Sequence, residues 1–213
     1  MKIIDKILLK YYWQKTFYTI IIFKYLLKTM KKERELINSI RKNFIEITNR
    51  KISQKYIKEK IIPILNHINK SKKNMILISG PQGIGKTTIL KIIEKNFTRF
   101  FNKRILTLSL DDFYLDKIKR KKISKKVHPL LLTRGVPGTH DIKEIEGVIN
   151  RFKNEKYPIK IPVFDKLKDR RLAKKRIINK KCEIIIMEGW CCGSPPLNND
   201  YLKKNINFLE KKY

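Results

Sequence analysis

A layered α/β fold, with helices on both sides of a mostly parallel sheet, is what this 213-residue sequence predicts, and three stretches predict it. The first is the apolar run Met75-Ile76-Leu77-Ile78, which passes through Ser79 into a glycine-rich turn. The other two are Ile105-Leu106-Thr107-Leu108-Ser109-Leu110 and Glu183-Ile184-Ile185-Ile186-Met187-Glu188, strand-length apolar runs that lead into carboxylates. Continuous apolar runs of this length belong to strands covered on both faces, as in parallel sheets.

The first 50 residues read as a basic, helical N-terminal extension of open role. Leu8, Leu9, Tyr12, Ile20 and Ile21, then Leu36, Ile37, Ile40, Phe44 and Ile45, recur among lysines, and Met30 is an alternative start. The run Phe17 to Phe23 is β-prone. Lys15, Lys24 and Lys28 interrupt the apolar stretches of residues 1–29, so no uncharged span of about 18 residues exists, and neither a signal peptide nor a membrane span is expected. Residues 53–69 read as a helix with Tyr56, Ile57, Ile61, Ile62, Ile64 and Leu65 on one face, kinked or split at Pro63.

The turn that follows the first strand is Gly80-Pro81-Gln82-Gly83-Ile84-Gly85-Lys86-Thr87-Thr88, the pattern G-x-x-G-x-G-K-T. Its glycines let successive N–H groups converge on a polyphosphate, and the helix beginning near Lys86 points its positive end at the same anion. Lys86 would sit on the β and γ phosphates and the Thr87 hydroxyl on Mg²⁺. Ile89, Leu90, Ile92, Ile93 and Phe97 recur at helical spacing, so strand, loop and helix stand in the order a phosphate-binding loop requires.

Asp111 and Asp112 follow the second strand, where a carboxylate projects into the ligand crevice of an open α/β sheet. Lys117 to Lys126 reads as an exposed charged loop at the border of that crevice. In residues 128–141 two glycines and two prolines shape a loop, and Thr139 or Asp141 caps a helix from Ile142 to Phe152. Residues 157–166 read as one edge strand, because Pro158 and Pro162 are excluded from a central ladder. The third apolar run delivers Glu188 at its end, a Walker-B-like acid that reaches Mg²⁺ or its bound water across from Thr87.

The net charge of +32 would ordinarily suggest a polyanion partner. The cations are 40 Lys against 11 Arg, Ile numbers 36, and Ala173 is the single alanine. A/T-rich codons produce that pattern unaided, and the basic residues are spread along the chain with no aromatic-interleaved tract, so no specific nucleic-acid partner is expected. Cys182, Cys191 and Cys192 form neither a disulfide framework nor a zinc pattern, which points to a cytoplasmic protein.

Taken together, G-P-Q-G-I-G-K-T-T, L-S-L-D-D-F-Y-L, H-P-L-L-x-x-R-G-V-P-G-T-H-D and I-P-x-F-D-K followed by I-I-I-M-E-G-W resemble the glycerate 3-kinase family. That family belongs with the phosphoribulokinase, uridine kinase and pantothenate kinase group of P-loop kinases, and the likeness runs from about residue 53 to 210. It implies a P-loop NTPase fold of three αβα layers over residues 51–213, with ATP and Mg²⁺ as cofactors. It implies that Asp111 accepts the proton of the substrate hydroxyl, beside Lys86 and Glu188 in the catalytic group. Arg134, His140 and Asp141 would lie on one substrate-side loop, and Asp165, Lys166 and Arg170 or Arg171 on another.

A small hydroxy acid such as D-glycerate is the expected acceptor, its carboxylate paired by Arg134, Lys166 or Arg171. Family members continue past the position matching Tyr213, so the resemblance implies a C-terminally incomplete domain with Met75 to Ser79 at an apolar edge, for which Phe17 to Phe23 is a candidate shield. The alternatives are a non-catalytic nucleotide-binding protein and a kinase for a nucleoside or pantothenate-like substrate.

Overall fold

The computed structural model describes residues 2–195 together with 198, 200 and 205, and for residues 2–21 the backbone alone. The chain divides into two units. One takes Met1–Asn74, Thr88–Ile105 and Cys182–Ile184, the other Met75–Thr87, Leu106–Lys181 and Ile185–Tyr213. The fold combines a parallel sheet with a helical N-terminal region.

In the first unit, helix α1 (Lys2–Thr48) is continuous over 47 residues. Phe17 to Phe23 therefore lies within a helix, which corrects the reading of that run as a strand-like shield. The first 50 residues contain neither Gly nor Pro, and Leu and Lys between the β-branched positions sustain the helix. Leu36, Ile37 and Ile40 of α1 are buried, as are Ile57, Ile61, Leu65 and Ile68 further along.

The stretch expected to be kinked by Pro63 is split. Ser53 caps α2 (Gln54–Tyr56), its Oγ accepting from the Tyr56 N–H at 3.1 Å; a π-helical turn (Ile57–Ile61) follows, then α3 (Ile62–Lys70). Pro63 has no N–H to give the carbonyl four residues back, and the wider turn just before it absorbs the lost bond. Helix α4 (Lys86–Phe101) runs on from the glycine-rich loop and buries Leu90, Ile92, Ile93, Phe97 and Phe100. Among the described residues, no helix is long and apolar enough to cross a membrane.

In the second unit, β1 (Met75–Ser79) pairs in parallel with β7 (Ile184–Gly189), from Met75 opposite Ile185 to Ser79 opposite Gly189. β7 in turn neighbours β2 (Ile105–Ser109), giving the order β1-β7-β2. Every residue of β7 is buried, as its unbroken apolar run requires. Among the described residues β1 is the edge strand, and Leu77 at its centre is 44% exposed.

β2 stops at Ser109, one residue short of the expected strand, and a 3₁₀ turn (Leu110–Phe113) carries Asp111 and Asp112. Lys117 to Lys126 forms helix α5 and not an exposed loop; its Arg120 is buried. Helix α6 (Ile142–Lys153) is capped by Asp141, whose Oδ1 accepts from the Glu144 N–H at 3.2 Å. The edge strand expected over residues 157–166 is two short strands. Pro162 separates β3 (Ile159–Ile161), paired with β6 (Arg176–Ile178), from β4 (Phe164–Asp165), paired with β5 (Arg170–Arg171), both antiparallel.

Candidate active site

The parallel register of β1 and β7 sets the ends of the two strands side by side, the glycine-rich loop leaving one and Glu188 closing the other. The Ser79 hydroxyl donates to the Trp190 carbonyl at 3.0 Å and fastens the two ends together. Gly83 and Gly85 adopt φ of +80° and +96°, a left-handed backbone that a side chain would strain. Lys86 Nζ donates to the Pro81 carbonyl at 2.9 Å, folding across the loop it belongs to.

Glu188 is buried. Its Oε1 accepts from Thr87 Oγ1 at 2.9 Å and from Ser109 Oγ at 2.8 Å, so hydroxyls from the loop helix and from β2 meet on one oxygen. This donor set suits Mg²⁺. That ion takes one or two carboxylates together with phosphate oxygens and water, where a cage of protein ligands is not needed.

Asp111 and Glu188 leave the tips of neighbouring strands and line one cavity of about 300 Å³ with Lys86, Thr87, Gln82 and Gly83. The opposite wall brings Tyr114, Arg134, Gly135 and Lys166, and Trp190 stands at the rim. Lys166 Nζ lies 2.5 Å from Asp111 Oδ2. The Tyr114 phenol is pushed well above its ordinary range by burial and then by the negative charge of Asp111. Arg134 donates through Nη1 to the Lys166 carbonyl at 2.7 Å and to Asp169 Oδ1 at 3.1 Å.

Other residues expected on the substrate side have partners of their own. Arg171 is spent: Nε donates to the Tyr114 carbonyl at 2.8 Å, Nη1 to Glu144 Oε2 at 2.5 Å and Nη2 to the Phe113 carbonyl at 3.2 Å, with Asp141 at 3.4 Å. Asp141 caps α6, and Asp165 Oδ1 accepts from the N–H groups of Leu167 and Lys168, closing the β4–β5 turn. His140 is buried and stacked on Tyr114 at 4.4 Å, with Nε2 unpartnered; desolvation holds the ring below its ordinary pKa.

Sequence reading missed Ser109, Tyr114 and Trp190 as cavity or metal-side groups, although each lies within three residues of Asp111 or Glu188. It also missed Arg120 and Asp169. No hydrophobic period marks them, because their places are fixed by ion pairing.

A glycine-rich cradle at the head of a helix, faced by carboxylates from adjacent strand tips, defines a nucleotide-binding P-loop domain. The description "KAP family P-loop domain" fits residues 50–188 by sequence profile, and the chain belongs to that family. It is similar to the uncharacterized kinase mug58 of Schizosaccharomyces pombe, 36% identical over 132 residues that make up 57% of this chain and 47% of that protein. It is similar also to the probable ATP-dependent kinase TDA10 of Saccharomyces cerevisiae, 35% identical over 145 residues, 60% of this chain and 50% of that one.

Among solved structures it matches D-glycerate 3-kinase from Cryptococcus neoformans var. grubii with a TM-score of 0.55 and 27% identity, over 67% of this chain and 53% of the other. These likenesses bear out the resemblance to the glycerate 3-kinase group. The chain spans about half the length of the curated relatives it matches.

Proposed function

We propose that the protein transfers the γ-phosphoryl group of ATP to a hydroxyl of a small carboxylic acid, D-glycerate first among them. The observation that carries the reading is the shared cavity: Asp111 and Glu188 face it together with Lys86 and Thr87. Phosphoryl transfer passes through a loose transition state that needs positioning and charge neutralisation more than covalent help. Lys86 would neutralise the β and γ phosphates, and Thr87 and Glu188 would hold Mg²⁺, which would supply further neutralisation of the charge gathering on the phosphate oxygens.

The acceptor oxygen forms its bond to the γ-phosphorus and gives its proton to Asp111. The bond from that phosphorus to the bridging oxygen breaks, and ADP leaves with the electron pair. Of the three cations considered for the acceptor's carboxylate, Arg171 is consumed by Glu144 and two carbonyls, and Lys166 is paired with Asp111. Arg134 commits only Nη1 to protein acceptors, which supports it as the carboxylate partner, bidentate through its remaining donors.

ADP release stimulated by D-glycerate, and weaker with pantothenate or uridine, is the expected result. Lys86→Ala should abolish it, and Asp111→Asn should lower turnover about 10²- to 10⁴-fold while nucleotide affinity stays near wild type. Nucleotide binding with no turnover on any of the three acceptors would replace the kinase with a nucleotide-binding protein.

A further inference from the structure

We infer that Arg120 is a positioning residue for the acceptor site, setting the guanidinium of Arg134 through the carboxylate of Asp169; the inference rests on the acceptor role proposed for Arg134. Of the basic residues along α5, Arg120 alone is buried, at 1% exposure. A buried guanidinium is costly unless its donors are satisfied. Here each nitrogen has an acceptor: Nε the Leu115 carbonyl at 3.1 Å, Nη1 the Leu132 carbonyl at 3.1 Å, and Nη2 the Asp169 Oδ2 at 2.6 Å.

The same carboxylate then reaches the cavity wall, because Asp169 Oδ1 accepts from Arg134 Nη1 at 3.1 Å. Asp169 stands in the turn between β4 and β5 with φ of +50°, a left-handed backbone that a residue with a side chain adopts at a cost. Such a residue needs an anchor, and the shorter of its two ion pairs goes to the buried cation. Desolvation pushes the Asp169 carboxyl upward, yet hydrogen bonds and charge from Arg120 and then Arg134 hold it below the ordinary carboxylate range.

Arg134 is thereby fixed along one edge. Nη1 is shared between Asp169 and the Lys166 carbonyl, and the guanidinium carbon lies 5.9 Å from the Phe164 ring centroid. Nε and Nη2 have no protein acceptor among the described residues. The order is a buried cation, a bridging anion and a working cation. Losing the first should loosen the last without touching the phosphate loop.

The test uses the full chain with ATP and D-glycerate. Arg120→Gln should raise the acceptor KM about tenfold, with kcat and the ATP KM within about threefold of wild type. Arg120→Lys, which can still reach Asp169, should recover part of the loss. In an Arg134→Ala background Arg120→Gln should add nothing to the acceptor KM; multiplication of the two effects, or equal damage to the ATP KM, would overturn the relay. Should Arg120→Gln fail to fold, Asp169→Asn should give the same split between the two KM values.

A second arm needs no turnover. Phenylglyoxal labelling of Arg134, followed by peptide mass spectrometry, should run about fivefold faster in Arg120→Gln than in wild type as one ion-pair constraint is released. Unchanged labelling refutes the inference. Faster labelling in a protein that phosphorylates none of the acceptors would sink the kinase reading and leave the relay standing.

Discussion

Gly189, where β7 ends beside Glu188, admits no side chain. A Cβ built there would lie 2.8 Å from the Leu110 Cβ, 2.9 Å from Leu110 Cδ2 and 2.8 Å from Cys192 Sγ, all under the 3.0 Å that real Cβ contacts observe. Leu110 Cβ is tied to the backbone of the 3₁₀ turn that carries Asp111 and cannot rotate away. To reach an ordinary contact of 3.4 Å, Gly189→Ala must open the gap by 3.4 − 2.8 = 0.6 Å, separating the tip that presents Glu188 from the turn that presents Asp111.

Overpacking of this kind costs about 1–3 kcal/mol, a melting point lower by about 2–12 °C for a chain of this size. A misplacement approaching 1 Å between reacting groups costs up to about 10²-fold in rate, so turnover should fall further than stability alone explains. Gly147 provides the internal control. It lies in α6 with nothing within 4 Å of its Cβ position, and Gly147→Ala should stabilise by about 0.5–1 kcal/mol through helix propensity. Thermal melts and acceptor-dependent ADP release on both variants decide the matter. Gly189→Ala melting and turning over like wild type would refute the close packing of the two tips.

Glu188→Gln keeps an oxygen for the Thr87 and Ser109 hydroxyls but loses the charge, so it should weaken nucleotide binding about 10- to 100-fold with Mg²⁺ present and little without it; calorimetry with and without the metal reads this, and equal losses would remove Glu188 from the metal site. His140 has its folded pKa depressed by burial, with Asp111 pulling the other way. The unfolded chain therefore takes up the proton first as pH falls, so stability is intact above about 6.5 and is lost as pH drops from there through the folded value. His140→Phe retains an aromatic ring against Tyr114, and its urea midpoint should gain on wild type on going from about pH 7.5 to 5; parallel profiles would show that His140 does not titrate in this window. The Cys192 thiol is raised to about 11, first by burial and then by Cys191, Glu188 and Asp111. Iodoacetamide labelling of Cys192 at about pH 8 should accordingly lag that of a free cysteine, which mapping of the labelled peptides checks.

What the sequence discloses, and what it hides, follows from the force that fixes each part. β7 is legible because burial on both faces demands an unbroken apolar run, and the loop is legible because φ of +80° and +96° demands glycine at Gly83 and Gly85. Helix α5 obeys neither requirement. It buries a single guanidinium by hydrogen bonding and leaves its other cations in solvent, so no 3.6-residue apolar period exists to be read. The strand expected across residues 157–166 failed for a related reason: Pro162 divides it, and each half finds a different antiparallel partner that only the folded chain supplies.

Arg134, Lys166 and Arg171 are equal in sequence as candidates for the acceptor's carboxylate, three cations in suitable segments. Their difference is one of allocation. Glu144, Asp141 and two carbonyls use up Arg171, Asp111 pairs with Lys166, and Arg134 commits only Nη1, to Asp169 and the Lys166 carbonyl. Side-chain identity sets which charges a site contains; the tertiary count of acceptors decides which of them remains available to a ligand.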